Sequence, residues 1–138
     1  MHRSSASSNF VSTIKHKNKN FMNTIKEKLE DLNQLVISGK LMEAFEKYYH
    51  NDVQMQENAS APTIGKEANR RREQEFLGNI TEFRGASVHG VAADNDISFV
   101  VWRYDYTHKE WGVRNYIQVS VQHWKDGLIA KEHFFYGN

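Results

Sequence analysis

Three side chains of this sequence could move a proton between a carbon and an oxygen: Glu57, Glu132 and His123. A carboxylate does that work when its surroundings raise its pKa toward neutrality, and an apolar pocket does so by desolvation. Glu57 ends the alternating segment Val53-Gln54-Met55-Gln56-Glu57, while His123 and Glu132 lie on two β segments joined by Asp126-Gly127. Other chemistries lack their residues. Cysteine is absent, which removes disulfides, thiolate metal ligands and thiol nucleophiles. His89, His123 and His133 show no ligand spacing, so neither a metal nor a cofactor is expected. Phosphate-cradling loops and nucleophile elbows are missing as well.

Turn chemistry assigns these side chains to faces. Asp126-Gly127 is a two-residue hairpin signal that pairs Lys125 with Leu128. Continued along both strands, this register sets His123 opposite Ala130, Val121 opposite Glu132, Val119 opposite Phe134 and Ile117 opposite Tyr136. That row is mostly apolar and is read as the inner face. Gln118, Ser120, Gln122, Trp124, Lys131, His133 and Phe135 then point outward. An even loop around Lys109-Glu110 would bring Val100, Trp102, Tyr104 and Tyr106 to the inner side and leave Arg103 and Asp105 outside; an odd loop would swap the faces. Val53, Met55 and Glu57 also face in. Two carboxylates, Glu57 and Glu132, are thus expected to aim into a pocket lined by Met55, Trp102, Tyr104, Val119, Phe134 and Tyr136.

The elements that must position these residues follow from periodicity. Ile25, Leu29, Leu32 and Val36 mark one amphipathic helix, which Gly39 should end. Leu41, Ala44, Phe45 and Tyr48 mark a second. A third is expected over 65–77, with a thin apolar stripe of Ile64, Ala68 and Phe76 and with Arg70-Arg71-Arg72 on its solvated side. Residues 81–136 read as four β segments separated by turn signals. Helices followed by an antiparallel meander give an α+β domain, with the helices capping one face of a curved antiparallel sheet around a small-molecule pocket.

A chain of 138 residues with 39% apolar content is one globular domain by size and composition. No window has the run of about 18 apolar residues that a membrane helix needs. The +1 formal charge conceals an asymmetry. Residues 1–21 contain Arg3, Lys15, Lys17 and Lys19 and no acid, which leaves 14 basic against 17 acidic residues in the rest. The expected division is a basic, disordered tail over 1–21 and a folded domain over 22–138, with no nucleic-acid or membrane surface. A reducing compartment, the cytoplasm, is expected.

Several strings, in their order and spacing, resemble the nuclear-transport-factor-two-like superfamily, within it the SnoaL-like group of polyketide cyclases and ketosteroid-isomerase relatives. They are ISGKLMEAFEKYYHNDVQMQEN, TIGKEA and the closing hairpin WKDGLIAKEHFFYGN. The resemblance implies a cone-shaped barrel, commonly dimeric through the outer sheet face. It also places Glu57 where the isomerases carry their general base, and sets His123 and Glu132 near the acid/histidine positions of the cyclases. Two departures stand out. Leu32 occupies the region of the isomerases' oxyanion tyrosine, and Val113–Trp124 contains no second acid. The expected function is therefore a pocket for a small apolar molecule. Either an isomerase- or cyclase-like proton transfer occurs there, or the chain is a non-catalytic binding or dimerisation module.

Overall fold

The computed structural model describes residues 24–137, so the basic segment 1–21 lies outside the described residues. The first helix, α1 (Thr24–Ile37), buries Leu29, Leu32 and Val36 on one stripe. It ends where Gly39 adopts φ +79°, a left-handed conformation that lets the Lys40 amide return to the Leu35 carbonyl at 2.8 Å. The second helix, α2 (Leu41–Tyr48), buries Ala44, Phe45 and Tyr48 and runs straight into strand β1 (Tyr49–Glu57). A two-residue strand, β2 (Thr63–Ile64), pairs with β1 in what reads from sequence as pure loop.

Helix α3 (Lys66–Gly78) has one fully buried residue, and it is polar. The Asn69 amide donates to the carbonyls of Val53 (3.3 Å), Thr63 (3.0 Å) and Gly65 (2.8 Å), knitting α3 to β1 and β2. The arginine triplet that follows is engaged in ion pairs. Arg70 meets Glu46 and Glu67, Arg71 meets Glu67, and Arg72 meets Glu57.

The remaining strands are β3 (Ile80–Asp94), β4 (Ile97–His108), β5 (Gly112–Lys125) and β6 (Leu128–Tyr136). The sheet order is β2-β1-β6-β5-β4-β3. The meander is antiparallel as expected, but the sheet as a whole is mixed, because β6 returns beside β1 and runs parallel to it. Register shifts along β3 bend that strand, and helices and curved sheet enclose a core of Leu29, Phe45, Val53, Val100, Trp102, Trp124 and Ile129. No helix among the described residues is long and apolar enough to cross a membrane.

The hairpin register holds only at its turn. Asp126 and Gly127 take positive φ, and Lys125 pairs with Leu128 and Trp124 with Ile129. Lys28 donates to the Gly127 carbonyl at 2.9 Å, which ties the turn to α1. Then His123 pairs with Lys131, leaving Ala130 as an extra residue on β6. This bulge shifts the pairing by one and reverses the face of β5 relative to β6. At the other end of β5 the loop is odd, with His108 opposite Gly112. The two departures cancel for β4, whose inner residues Val100, Trp102, Tyr104 and Tyr106 are as expected. They do not cancel for β5.

Replacing Asn69 with Ala should remove the side-chain donor that three carbonyls share, leaving Val53 and Gly65 only their backbone donors, and destabilise the domain by about 1–3 kcal/mol. Urea unfolding should show a lower midpoint with an unchanged slope. Asn69→Asp, which has the shape but not the donors, should do at least as badly; wild-type stability in either variant would remove Asn69 from this role.

Candidate functional site

The face of β5 that looks inward is the polar one. Gln118, Ser120, Gln122 and Trp124 are buried, whereas Ile117, Val119, Val121 and His123 lie on the outer surface of the sheet. Val119 and His123 are therefore corrected: neither lines the interior, because the Ala130 bulge moves the whole odd-numbered row outward. Trp124, Gln118 and Gln122 likewise leave the outer face. Apolar residues normally belong inside. Here the polar row is inside because its hydrogen bonds are made there.

Those bonds form a directed chain. The Trp124 indole donates to Ser98 Oγ at 2.9 Å, and Ser98 donates to Gln122 Oε1 at 2.6 Å. Gln122 Nε2 then donates to Glu132 Oε2 at 2.9 Å. The Tyr49 hydroxyl donates to the other oxygen, Glu132 Oε1. Glu132 is 3% exposed and sits between Gln122 on β5 and Met55 on β1. Burial pushes its carboxyl up to about 7, against the pull of the two donors.

A second acid faces the same interior. Glu73 follows Asn69 and precedes Phe76 on α3 at i, i+4, i+7 spacing, so all three lie on the inward stripe. Its side chain is half-buried, with protein packed densely around the carboxyl. Desolvation, then the charges of Glu132 and Glu57, push its carboxyl up to about 8. The Glu73 carboxyl makes no hydrogen bond among the described residues. Burial and the charges of Glu132 and Glu73 also hold the Tyr104 hydroxyl well above the ordinary tyrosine range.

Aromatic rings form the wall. Trp102 stacks on Tyr104 at 5.2 Å, Tyr104 meets Tyr116 at 6.0 Å, and Tyr116 meets Tyr136 at 5.4 Å. Phe134 packs against the core on the same side. The row leads outward to Glu57, which accepts from Tyr136 at 2.9 Å and pairs with Arg72 at 3.0 Å. With 43% of its side chain exposed and a guanidinium beside it, Glu57 stands at the rim. Of the residues expected at the site, Met55, Trp102, Tyr104, Glu132, Phe134 and Tyr136 share the interior side. Glu57 borders it, and Val119 and His123 lie behind the sheet.

Tyr49, Glu73 and Gln122 were missed by the sequence reading. The spacing of Glu73 from Asn69 and Phe76 was a legible signal. Tyr49 and Gln122 were not legible, because both depend on register. Among the described residues no cluster of three or more His, Asp or Glu could hold a metal ion.

A family model described as the SnoaL-like domain matches residues 29–132. Among solved structures, the chain is similar to a Mesorhizobium loti protein assigned as a SnoaL-like polyketide cyclase. The two share 30% identity at a TM-score of 0.74, over 81% of this chain and 98% of that one. A Burkholderia xenovorans NTF-2 like protein of unknown function shares 15% identity, with a TM-score of 0.69 over 84% of each chain. An epoxide hydrolase of M. tuberculosis shares 10% identity, with a TM-score of 0.66 over 80% of each chain. No curated protein matches the sequence.

The two raised carboxyls make stability depend on pH. Each holds a proton in the folded state that the unfolded chain has already released, so stability falls as pH rises from about 4.5 through 7 and 8. Asp31 and Glu46, held low by Lys47 and Arg70, act in the opposite sense and at more acid pH. From about pH 5 to about pH 9 the loss should be on the order of a few kcal/mol. Thermal unfolding of Glu73→Gln should match wild type near the acid end and exceed it near the alkaline end. A pH-independent difference would contradict the shifted carboxyl.

Proposed function

The chain belongs to the SnoaL-like domain family, and from that premise we propose that it is an acid–base enzyme acting on a small, largely apolar carbonyl compound. The observation that carries this reading is the pair Glu73 and Glu132. Both face an aromatic interior, and their carboxyls lie at about 8 and about 7. Interior carboxyls near neutrality exchange protons with carbon acids far better than exposed ones, because neither form is strongly preferred.

In this reading Glu132 is the base. Two donors steady its ionised form, and each oxygen keeps a lone pair for the substrate. Glu73 keeps its proton to higher pH, partly because the negative charge on Glu132 opposes its ionisation. With Tyr104, whose hydroxyl makes no hydrogen bond among the described residues, it donates to the oxygen on which charge develops. The proton taken from carbon goes to Glu132 and returns to a carbon of the same molecule, so an isomerisation balances without a co-reactant. Glu57, at the rim beside Tyr136 and Arg72, bounds the entrance. A second reading, a binding site without chemistry, draws support from Glu132 having both oxygens already engaged.

The outer face supports self-association. Phe99, Ile117 and Phe135 are exposed there at 37%, 42% and 43%, beside Val119 and Val121. We propose a homodimer through this apolar surface. Ile117→Lys should give monomers in sedimentation at micromolar concentration; an unchanged mass in that variant, or a wild-type monomer, would refute it.

Deuterium uptake from heavy water into a panel of small cyclic ketones is the direct measurement. Wild type should catalyse exchange with a bell-shaped pH profile whose limbs fall near 7 and 8. Glu132→Gln should lower the rate at least about 100-fold, and Glu57→Gln by less than about tenfold. Ketone binding without exchange would leave the binding reading standing in place of the enzyme.

A further inference from the structure

We propose that Arg114 is a ligand-binding residue that holds a carboxylate at the rim of the interior, which narrows the substrate class to small oxo acids. The inner face of β5 continues beyond Gln118 with Tyr116 and Arg114, because side chains alternate along a strand. Arg114 is half-buried there, opposite Tyr106 and two residues from the turn at Gly112. Its guanidinium carbon lies 5.0 Å from the centre of the Tyr116 ring. Tyr116 in turn meets Tyr106 through their hydroxyls at 2.8 Å and Tyr136 through its ring. Arg114 thus rests on the aromatic wall that leads from Tyr104 to Glu57.

What this guanidinium lacks is an anion. Nε is buried and has no hydrogen-bond partner among the described residues. The two terminal nitrogens have none either, and they are not buried, so they are open to a ligand. The other arginines among the described residues differ. Arg70, Arg71, Arg72 and Arg84 each pair with a carboxylate, and Arg103 is exposed on the outer face. Glu57, which Tyr136 meets, is taken by Arg72. A guanidinium drawn partly out of water and left unpaired costs stability until an anion completes it. Set over an aromatic ring, it keeps its planar N–H fork for bidentate contact with a carboxylate.

Register fixes the spacing. Tyr104 stands opposite Tyr116 and Arg114 opposite Tyr106, so two strand residues, about 7 Å, separate the levels of Tyr104 and Arg114. A ligand that meets both carries its carbonyl and its carboxylate at opposite ends, as 4-oxocyclohexanecarboxylate does. Only the carbonyl end of this ligand rests on the acid–base reading; the carboxylate end requires binding alone.

The test is calorimetric titration of the full chain with 4-oxocyclohexanecarboxylate and with its neutral methylamide. Wild type should bind the acid at least about tenfold more tightly than the amide. Arg114→Met should erase that preference and leave the affinity for the amide unchanged. Arg114→Lys keeps the charge without the fork, so it should lose at least about threefold of the preference while binding the amide as before. It decides the matter if the methionine variant does not fold. Equal affinity for acid and amide in wild type, an undiminished preference in both variants, or no binding of the acid at about 10 mM would overturn the proposal. Deuterium exchange in the same samples separates this anchor from the acid–base reading. Equal exchange into acid and amide, with no preference in binding, would remove the anchor and leave the enzyme. Acid binding that depends on Arg114, without exchange, would keep the anchor and remove the enzyme.

Discussion

Trp124, Ser98, Gln122 and Glu132 pass hydrogen bonds in one direction across β4, β5 and β6, and Tyr49 meets the same carboxylate from β1. The direction is imposed by its ends. An indole can only donate and an ionised carboxylate can only accept, so the serine and the amide between them must each accept on one side and donate on the other. Every strand junction from β4 to β1 is therefore stitched by a side chain as well as by the backbone ladder. A network of this kind stabilises only when complete, since each member that loses its partner leaves a desolvated dipole behind. Tyr49 is the one member that can reverse, by turning its hydroxyl to accept. It is thus the group through which a proton on Glu132 can be accommodated.

This arrangement sets stability against reactivity. Hydrogen bonds hold Glu132 as a carboxylate while burial resists its charge, and Glu73 sits in the same interior with no donor to compensate it. A domain built for stability alone would place apolar side chains at both positions. Asn69 shows the contrast on the same helix: it too is buried and polar, yet it is fully used in joining α3 to β1 and β2. One stripe of α3 thus carries a polar residue that organises structure and an acidic one that strains it.

Much of the architecture was legible in the sequence because it rests on local rules. The stripes of α1 and α2, the cap at Gly39 and the turn at Asp126-Gly127 each depend on a few adjacent residues, and each stands in the structure. Glu132 and the aromatic row of β4 were also placed correctly. What failed was parity across strands. The face of β5 depends on one unpaired residue, Ala130, and on whether the β4–β5 loop is even or odd, and neither carries a composition signal. Polarity then misled, since Val119 and Val121 look like core and Gln122 looks like surface. The parallel pairing of β6 with β1 was hidden for a different reason: it joins segments about 80 residues apart, beyond the reach of any local pattern.

The bulge at Ala130 also governs which changes in chain length the fold can tolerate. Side chains alternate across a sheet, so one residue gained or lost between Ile129 and Glu132 would carry Glu132, Phe134 and Tyr136 to the wrong surface together. The exposed Asn58–Pro62 turn has no such alternation to protect. Insertions and deletions inherited across relatives should therefore gather in that turn and spare the start of β6. Spacing there, more than residue identity, is what descent must preserve.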